Sequence, residues 1–77
     1  MTLLGSDPTT KQEAIERFQM VVYFWALCKR KGHTKALGIY GIEVALLDTV
    51  LADDFGMARL DIELLYEDAK RAASIVP

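Results

Sequence analysis

The sequence predicts an all-α fold, a small bundle of three helices, and three observations lead to it. A helix-start signal, Asp-Pro-Thr-Thr at residues 7–10, precedes the first long apolar segment. The next segment, 36–52, ends in good helix formers without period-two alternation, and the chain offers no second strand to pair with it. The last segment carries an apolar stripe at alternating spacings of four and three residues.

Length and composition set the domain organisation. The chain has 77 residues and 52% of them are apolar, which indicates one ordered domain near the lower size limit for independent folding. We expect a short arm over residues 1–8 and a single helical domain over 9–77. A chain this small and apolar cannot easily hide all its apolar surface in one monomer, so the composition favours self-association or a stable partner.

The first helix is expected over about residues 9–31. Two capping boxes are available at its start: Thr9 with Gln12, or Thr10 with Glu13. At its end, cations at 29–31 suit the negative end of the helix dipole, and Gly32 suits the position that follows a helix.

The first helix contains a run of nine apolar residues, Met20–Cys28. Nine helical positions point in every direction around the axis, so this run must be covered on all sides by the chain or by a partner. The run is far shorter than the roughly 20 residues that cross a bilayer, so we expect no membrane span.

The second helix is expected over about residues 35–53. Residues 36–44 look partly strand-like because they include two glycines and β-branched residues, and the alternative is a loop over 35–41 with the helix starting at Gly41. As a helix, this segment places small residues on roughly one side: Gly38, Gly41, Ala45 and Ala52. Small residues let another helix approach closely, and Phe24 and Trp25 are the expected occupants.

The third helix is expected over about residues 57–74. Its apolar stripe comprises Ala58, Ile62, Leu65, Ala69, Ala72 and Val76. Its polar, solvent-facing side includes four acids that we predict to form a partner-binding face: Asp61, Glu63, Glu67 and Asp68.

The turn before the third helix carries a short resemblance. Residues 54–59 read Asp-Phe-Gly-Met-Ala-Arg, which resembles the metal-binding segment that opens a protein-kinase activation loop. The chain has no glycine-rich loop and no catalytic-loop motif, and it is too short for that fold. We therefore interpret the segment as an inter-helix turn.

The polar residues suggest no catalytic or metal site, and we expect no cofactor. His33 is the only histidine and Cys28 the only cysteine, so neither has the partners that zinc binding or acid–base catalysis requires. A single cysteine suits a reducing compartment, and the N-terminus lacks the pattern of a secretory signal. We expect a cytoplasmic protein that is not an enzyme.

A basic corner surrounds the first connection: Lys29, Arg30, Lys31 and Lys35. The net charge of −2 excludes nucleic-acid binding by bulk electrostatics. A dimer would nevertheless present this corner twice, so a dimeric nucleic-acid-binding regulator is the alternative hypothesis.

The preferred hypothesis is a small protein-interaction or regulatory protein, an adaptor or inhibitor, that binds an unidentified protein partner. Small acidic helical proteins of this type occur among phage and plasmid regulators, which is a likeness of type and not of family. We also expect a homodimer through the first two helices. The residues predicted to divide between core and subunit interface are Val21, Phe24, Trp25, Tyr40 and Val44.

Overall fold

The computed structural model describes residues 8–76 and contains three α-helices: α1 at Lys11–Lys31, α2 at Thr34–Thr49 and α3 at Arg59–Ser74. A π-helical turn at Val50–Asp54 continues α2. The predicted all-α three-helix bundle is confirmed, and the segment 35–41 is helix and not loop. Apart from Pro8, the predicted N-terminal arm lies outside the described residues.

The ends of α1 follow the signals in the sequence. Thr10 precedes the helix in an extended conformation, and its hydroxyl accepts a hydrogen bond of 3.1 Å from the backbone N–H of Glu13. At the other end, Gly32 adopts φ +74°, a left-handed conformation that glycine tolerates best. The N–H of His33 then bonds the carbonyl of Cys28 at 3.0 Å, which closes the last turn.

The core lies along α1, which packs against both α2 and α3. Its fully buried residues come from all three helices and the π-helical turn: Ala14, Phe18, Val21, Val22, Leu47, Leu51 and Ile62. In contrast, α2 and α3 touch each other little directly. Because both pack on α1, an open cleft remains between them.

The apolar run Met20–Cys28 is only partly covered by its own chain. Val21 and Val22 are fully buried, and Trp25 lies between α2 and α3, with its ring centroid 6.1 Å from that of Tyr66. Met20 and Phe24 remain at least 40% exposed. One side of this run is therefore left uncovered by its own chain, and its cover by a partner stays a prediction.

The predicted contact between a bulky residue of α1 and a small residue of α2 is present at one position. A Cβ atom placed on Gly41 would lie 3.6 Å from Nε1 of Trp25, so this glycine faces the indole as expected. Gly38 has nothing within 4 Å of such an atom, and Ala45 is exposed, so neither receives a bulky side chain from α1. The small-residue side is therefore exposed at Gly38 and Ala45, whereas Ala52 packs against the core.

The polarity of α2 is inverted relative to a conventional surface helix. The carboxylate-bearing Glu43 is buried, with 1% of its surface exposed, whereas Ile39 and Ile42 are 52% and 58% exposed. The helix is apolar on most sides, so its composition does not select which side faces α1. The tertiary packing makes that choice, and it leaves an apolar stripe in contact with solvent.

The buried side of α3 is rotated from the predicted stripe. Ile62, Ala69 and Ala73 are buried, while Ala58 and Ala72 are exposed. Ala58 precedes the helix and so lies outside its regular spacing.

The described helices, taken as a group, include none that is long and apolar enough to cross a bilayer.

Candidate functional site

The candidate site is the open cleft between α2 and α3, with a volume of about 370 Å³. It exists because α2 and α3 both pack on α1 and touch each other little. Seven residues line it: Val44, Asp48, Arg59, Ile62, Glu63, Tyr66 and Glu67.

The cleft combines an apolar floor with a charged rim. Val44, Ile62 and Tyr66 belong to the core or pack against it, and they supply the floor. The rim carries three carboxylates against one guanidinium, so its formal charge is −2. An apolar floor with a few placed charges is the usual composition of a binding cleft.

A two-pronged ion pair joins the two walls of the cleft. The guanidinium of Arg59 donates two hydrogen bonds of 2.7 Å, one to each carboxylate oxygen of Asp48. Asp48 lies near the C-terminal end of α2 and Arg59 begins α3, so each charge is opposed by the dipole of its own helix. The hydrogen bond and charge of Arg59 lower the pKa of Asp48, and Asp48 in turn raises the pKa of Arg59.

We expect Asp48→Asn to remove a small, pH-dependent part of the stability, less than about 1 kcal/mol because solvent screens this partly exposed pair. Folding lowers the pKa of Asp48, so its contribution is present above the ordinary value of 3.8 and is lost as pH falls through the folded-state pKa. Urea denaturation of the wild type and the variant should therefore show a difference that shrinks below about pH 4. A difference that stays constant down to about pH 2 would contradict the prediction.

The four predicted acids do not share one face. Glu63 and Glu67 line the cleft. Asp61 and Asp68 are exposed on the opposite flank of α3. Asp61, for example, precedes Glu63 by two residues, which corresponds to about 200° of rotation around the helix axis. The structure therefore divides the predicted acidic face into two, and only one half borders the cleft.

Sequence reasoning missed the other charged members of the site, Asp48 and Arg59. One signal for them was available in the sequence. An acid at the end of one helix and an arginine at the start of the next are each disfavoured by their own helix dipole, and together they suggest a pair that bridges the turn.

One residue of the basic corner also makes hydrogen bonds within the chain. The guanidinium of Arg30 donates hydrogen bonds to the carbonyls of Ala73, Ser74 and Val76 at the C-terminal end of α3. Lys29 is exposed with its ammonium 5.2 Å from the centre of the Trp25 ring. Lys31 and Lys35 are also exposed. All four residues of the basic corner are therefore exposed, and Arg30 in addition joins α1 to α3.

The residues predicted to divide between core and interface lie mostly inside the monomer. Val21 is fully buried, and Tyr40 and Val44 are half-buried against the core. Trp25 is half-buried between α2 and α3. Phe24 is the most exposed of the set at 40%, and its ring stacks on Tyr40 at a centroid distance of 5.9 Å.

Metal binding has no visible support within residues 8–76, where no three His, Cys, Asp or Glu side chains are grouped to hold an ion. Cys28 is a free, half-buried thiol.

The Asp-Phe-Gly segment at 54–56 spans the end of the π-helical turn and the connection to α3, as an inter-helix turn does. In comparisons with known proteins, the chain matches no family model, no curated protein and no solved structure.

Proposed function

We propose that this is a small protein-interaction protein, an adaptor or inhibitor of the cytoplasm, that binds a protein partner in the cleft between α2 and α3. One observation carries the proposal: an open cleft of about 370 Å³ has an apolar floor and an acidic rim. A free thiol at Cys28 supports the reducing compartment.

The chemistry of the cleft defines the partner. Glu63 and Glu67 stand one helical turn apart on α3, so two cations spaced along a segment can approach their carboxylates. A partner cation at Glu67 would compete with Lys70, whose ammonium makes an exposed ion pair of 3.8 Å with that carboxylate. Tyr66 between them offers a large apolar ring with a polar end, a combination that is enriched at protein interfaces. We therefore infer a basic segment that places an apolar side chain on the floor and lysine or arginine on the rim.

The proposal gives the chain no catalytic role. Of the described side chains that line the cleft, none is a serine, cysteine or histidine. Asp48 would otherwise be a candidate base, but both of its carboxylate oxygens accept hydrogen bonds from Arg59, and its lowered pKa makes it a weaker proton acceptor. The arrangement is suited to recognition of charge and shape.

Charge reversal at the cleft tests the proposal. We expect Glu63→Lys/Glu67→Lys to weaken partner binding by about tenfold or more, because the rim changes from attracting a basic segment to repelling it. The tagged protein would be incubated with an extract of its host, and captured proteins would be quantified by mass spectrometry. Titration calorimetry with the purified partner would then give the dissociation constants.

The matched control is Asp61→Lys/Asp68→Lys, which makes the same change in net charge on the opposite flank of the same helix. A partner that binds in the cleft is retained by the control and lost by the cleft variant. If both variants lose the same proteins, binding depends on net charge alone. If neither loses any, the partner binds elsewhere, and either result refutes the cleft as the site.

A further inference from the structure

We propose that the outward face of α2 binds a second copy of this chain, with the two α2 helices antiparallel. The proposal does not depend on the cleft, which lies between α2 and α3. It rests on three observations about one helix face: an unbroken series of exposed residues, an apolar centre, and opposite charges at its two ends.

The outward face runs along the whole of α2 and into the π-helical turn. Its exposed positions recur at helical spacing: Lys35, Gly38, Ile39, Ile42, Ala45, Leu46, Thr49 and Asp53. Between the two charged ends, every residue except Thr49 is apolar or glycine. The hydroxyl of Thr49 donates to the carbonyl of Ala45 at 3.1 Å, so its hydrogen bond is already made within the helix.

The centre of this face is suited to close helix–helix contact. Ile39, Ile42 and Leu46 form a stripe of large side chains that are 39–58% exposed. Beside them lie Gly38 and Ala45, which leave room for side chains from a facing helix. Pairing this face with a second helix would remove the exposed apolar stripe from water, which is favourable.

The charges select a second copy of this chain as the occupant. Lys35 and Asp53 stand at opposite ends of the face, about 27 Å apart along the axis. An antiparallel two-fold pairing places Lys35 of each copy opposite Asp53 of the other, and the same register sets Ile42 against Leu46. The face is therefore complementary to itself, as an interface between identical subunits must be.

The helix dipoles favour the same arrangement. Lys35 lies in the first turn of α2 and Asp53 in the turn that ends it, so each charge is opposed by the dipole of its own helix. Antiparallel pairing brings each charge to the opposite end of the facing helix, where the dipole stabilises it. A parallel pair would instead set lysine against lysine and aspartate against aspartate.

Sedimentation equilibrium on the full chain tests the proposal. We expect the wild type to be a dimer at micromolar concentration and Ile42→Asp to be a monomer. Lys35→Glu alone and Asp53→Lys alone should each raise the dissociation constant by about tenfold, since each breaks two symmetric pairs and creates two repulsions. The double variant Lys35→Glu/Asp53→Lys should restore it to within about threefold of the wild type.

The controls are Lys31→Glu and Asp54→Lys, which make the same charge changes at exposed positions outside the face. Both should leave the dissociation constant unchanged, and circular dichroism would verify that every variant is folded. A wild type that remains monomeric at about 100 μM overturns the proposal. A dimer that persists in Ile42→Asp also overturns it. The same holds if Lys35→Glu/Asp53→Lys does not restore the dissociation constant that the single variants raise.

Discussion

Replacing Phe18 by Ala is expected to lower the free energy of unfolding by about 3–5 kcal/mol, which is the range for a large aromatic side chain removed from a packed core. Phe18 is 1% exposed and belongs to the cluster that joins α1 to α2 and α3. A domain of this length is typically stable by about 4–12 kcal/mol, so the variant would lose a large share of its stability.

Phe24→Ala is the matched control, because it removes the same side chain from the same helix. Phe24 is 40% exposed, and its described ring contacts are with Tyr40 and Tyr23. We expect a loss of about 1–2 kcal/mol, from the part of the ring that is covered and from its stacking on Tyr40. Position in the fold, and not residue type, sets the difference between the two variants.

Urea denaturation followed by circular dichroism measures both variants. All samples should be compared at one protein concentration, because any self-association makes the apparent stability depend on concentration. Equal losses for Phe18→Ala and Phe24→Ala would show that the packing of α1 differs from the one described.

Arg30→Ala is expected to lower the free energy of unfolding by about 1–3 kcal/mol, the range for hydrogen bonds from a charged donor. The guanidinium reaches carbonyls at the last turn of α3, and two of its bonds measure 3.0 Å and 3.3 Å. Carbonyls at a helix end have no partner within the helix, and the dipole makes that end negative. Arg30 therefore satisfies these carbonyls and attaches the end of α3 to α1.

Two further variants distinguish the hydrogen bonds of Arg30 from the effect of its positive charge alone. Lys31→Ala removes a neighbouring exposed cation and should change the free energy of unfolding by less than about 0.5 kcal/mol. Arg30→Lys keeps the charge but not the planar fork of donors, so it should recover only part of the loss. Hydrogen exchange of the amides in the last turn of α3 should quicken in Arg30→Ala and not in Lys31→Ala. Equal exchange in both variants would contradict the assignment.

The helices could be predicted from local signals because those signals act over a few residues. The hydroxyl of Thr10 and the glycine at position 32 define the ends of α1 through hydrogen bonds and backbone conformation that involve only neighbours. The cleft could not be predicted in the same way. Glu63 and Glu67 were predicted from the sequence to be partner-binding acids, but their separation from Asp61 and Asp68 depends on which side of α3 is buried.

The clearest division between local and tertiary information is in α2. Its sequence favoured a helix, with 35–41 left open as a loop, and determined that the segment is apolar on most sides. Which side turns inward was decided only by the tertiary structure, which buries Glu43 and exposes Ile39 and Ile42. The physical reason is that a helix with apolar residues nearly all round gains similar burial in several rotations about its axis. In the rotation that the structure adopts, Gly41 lies against Trp25 and Leu47 joins the core.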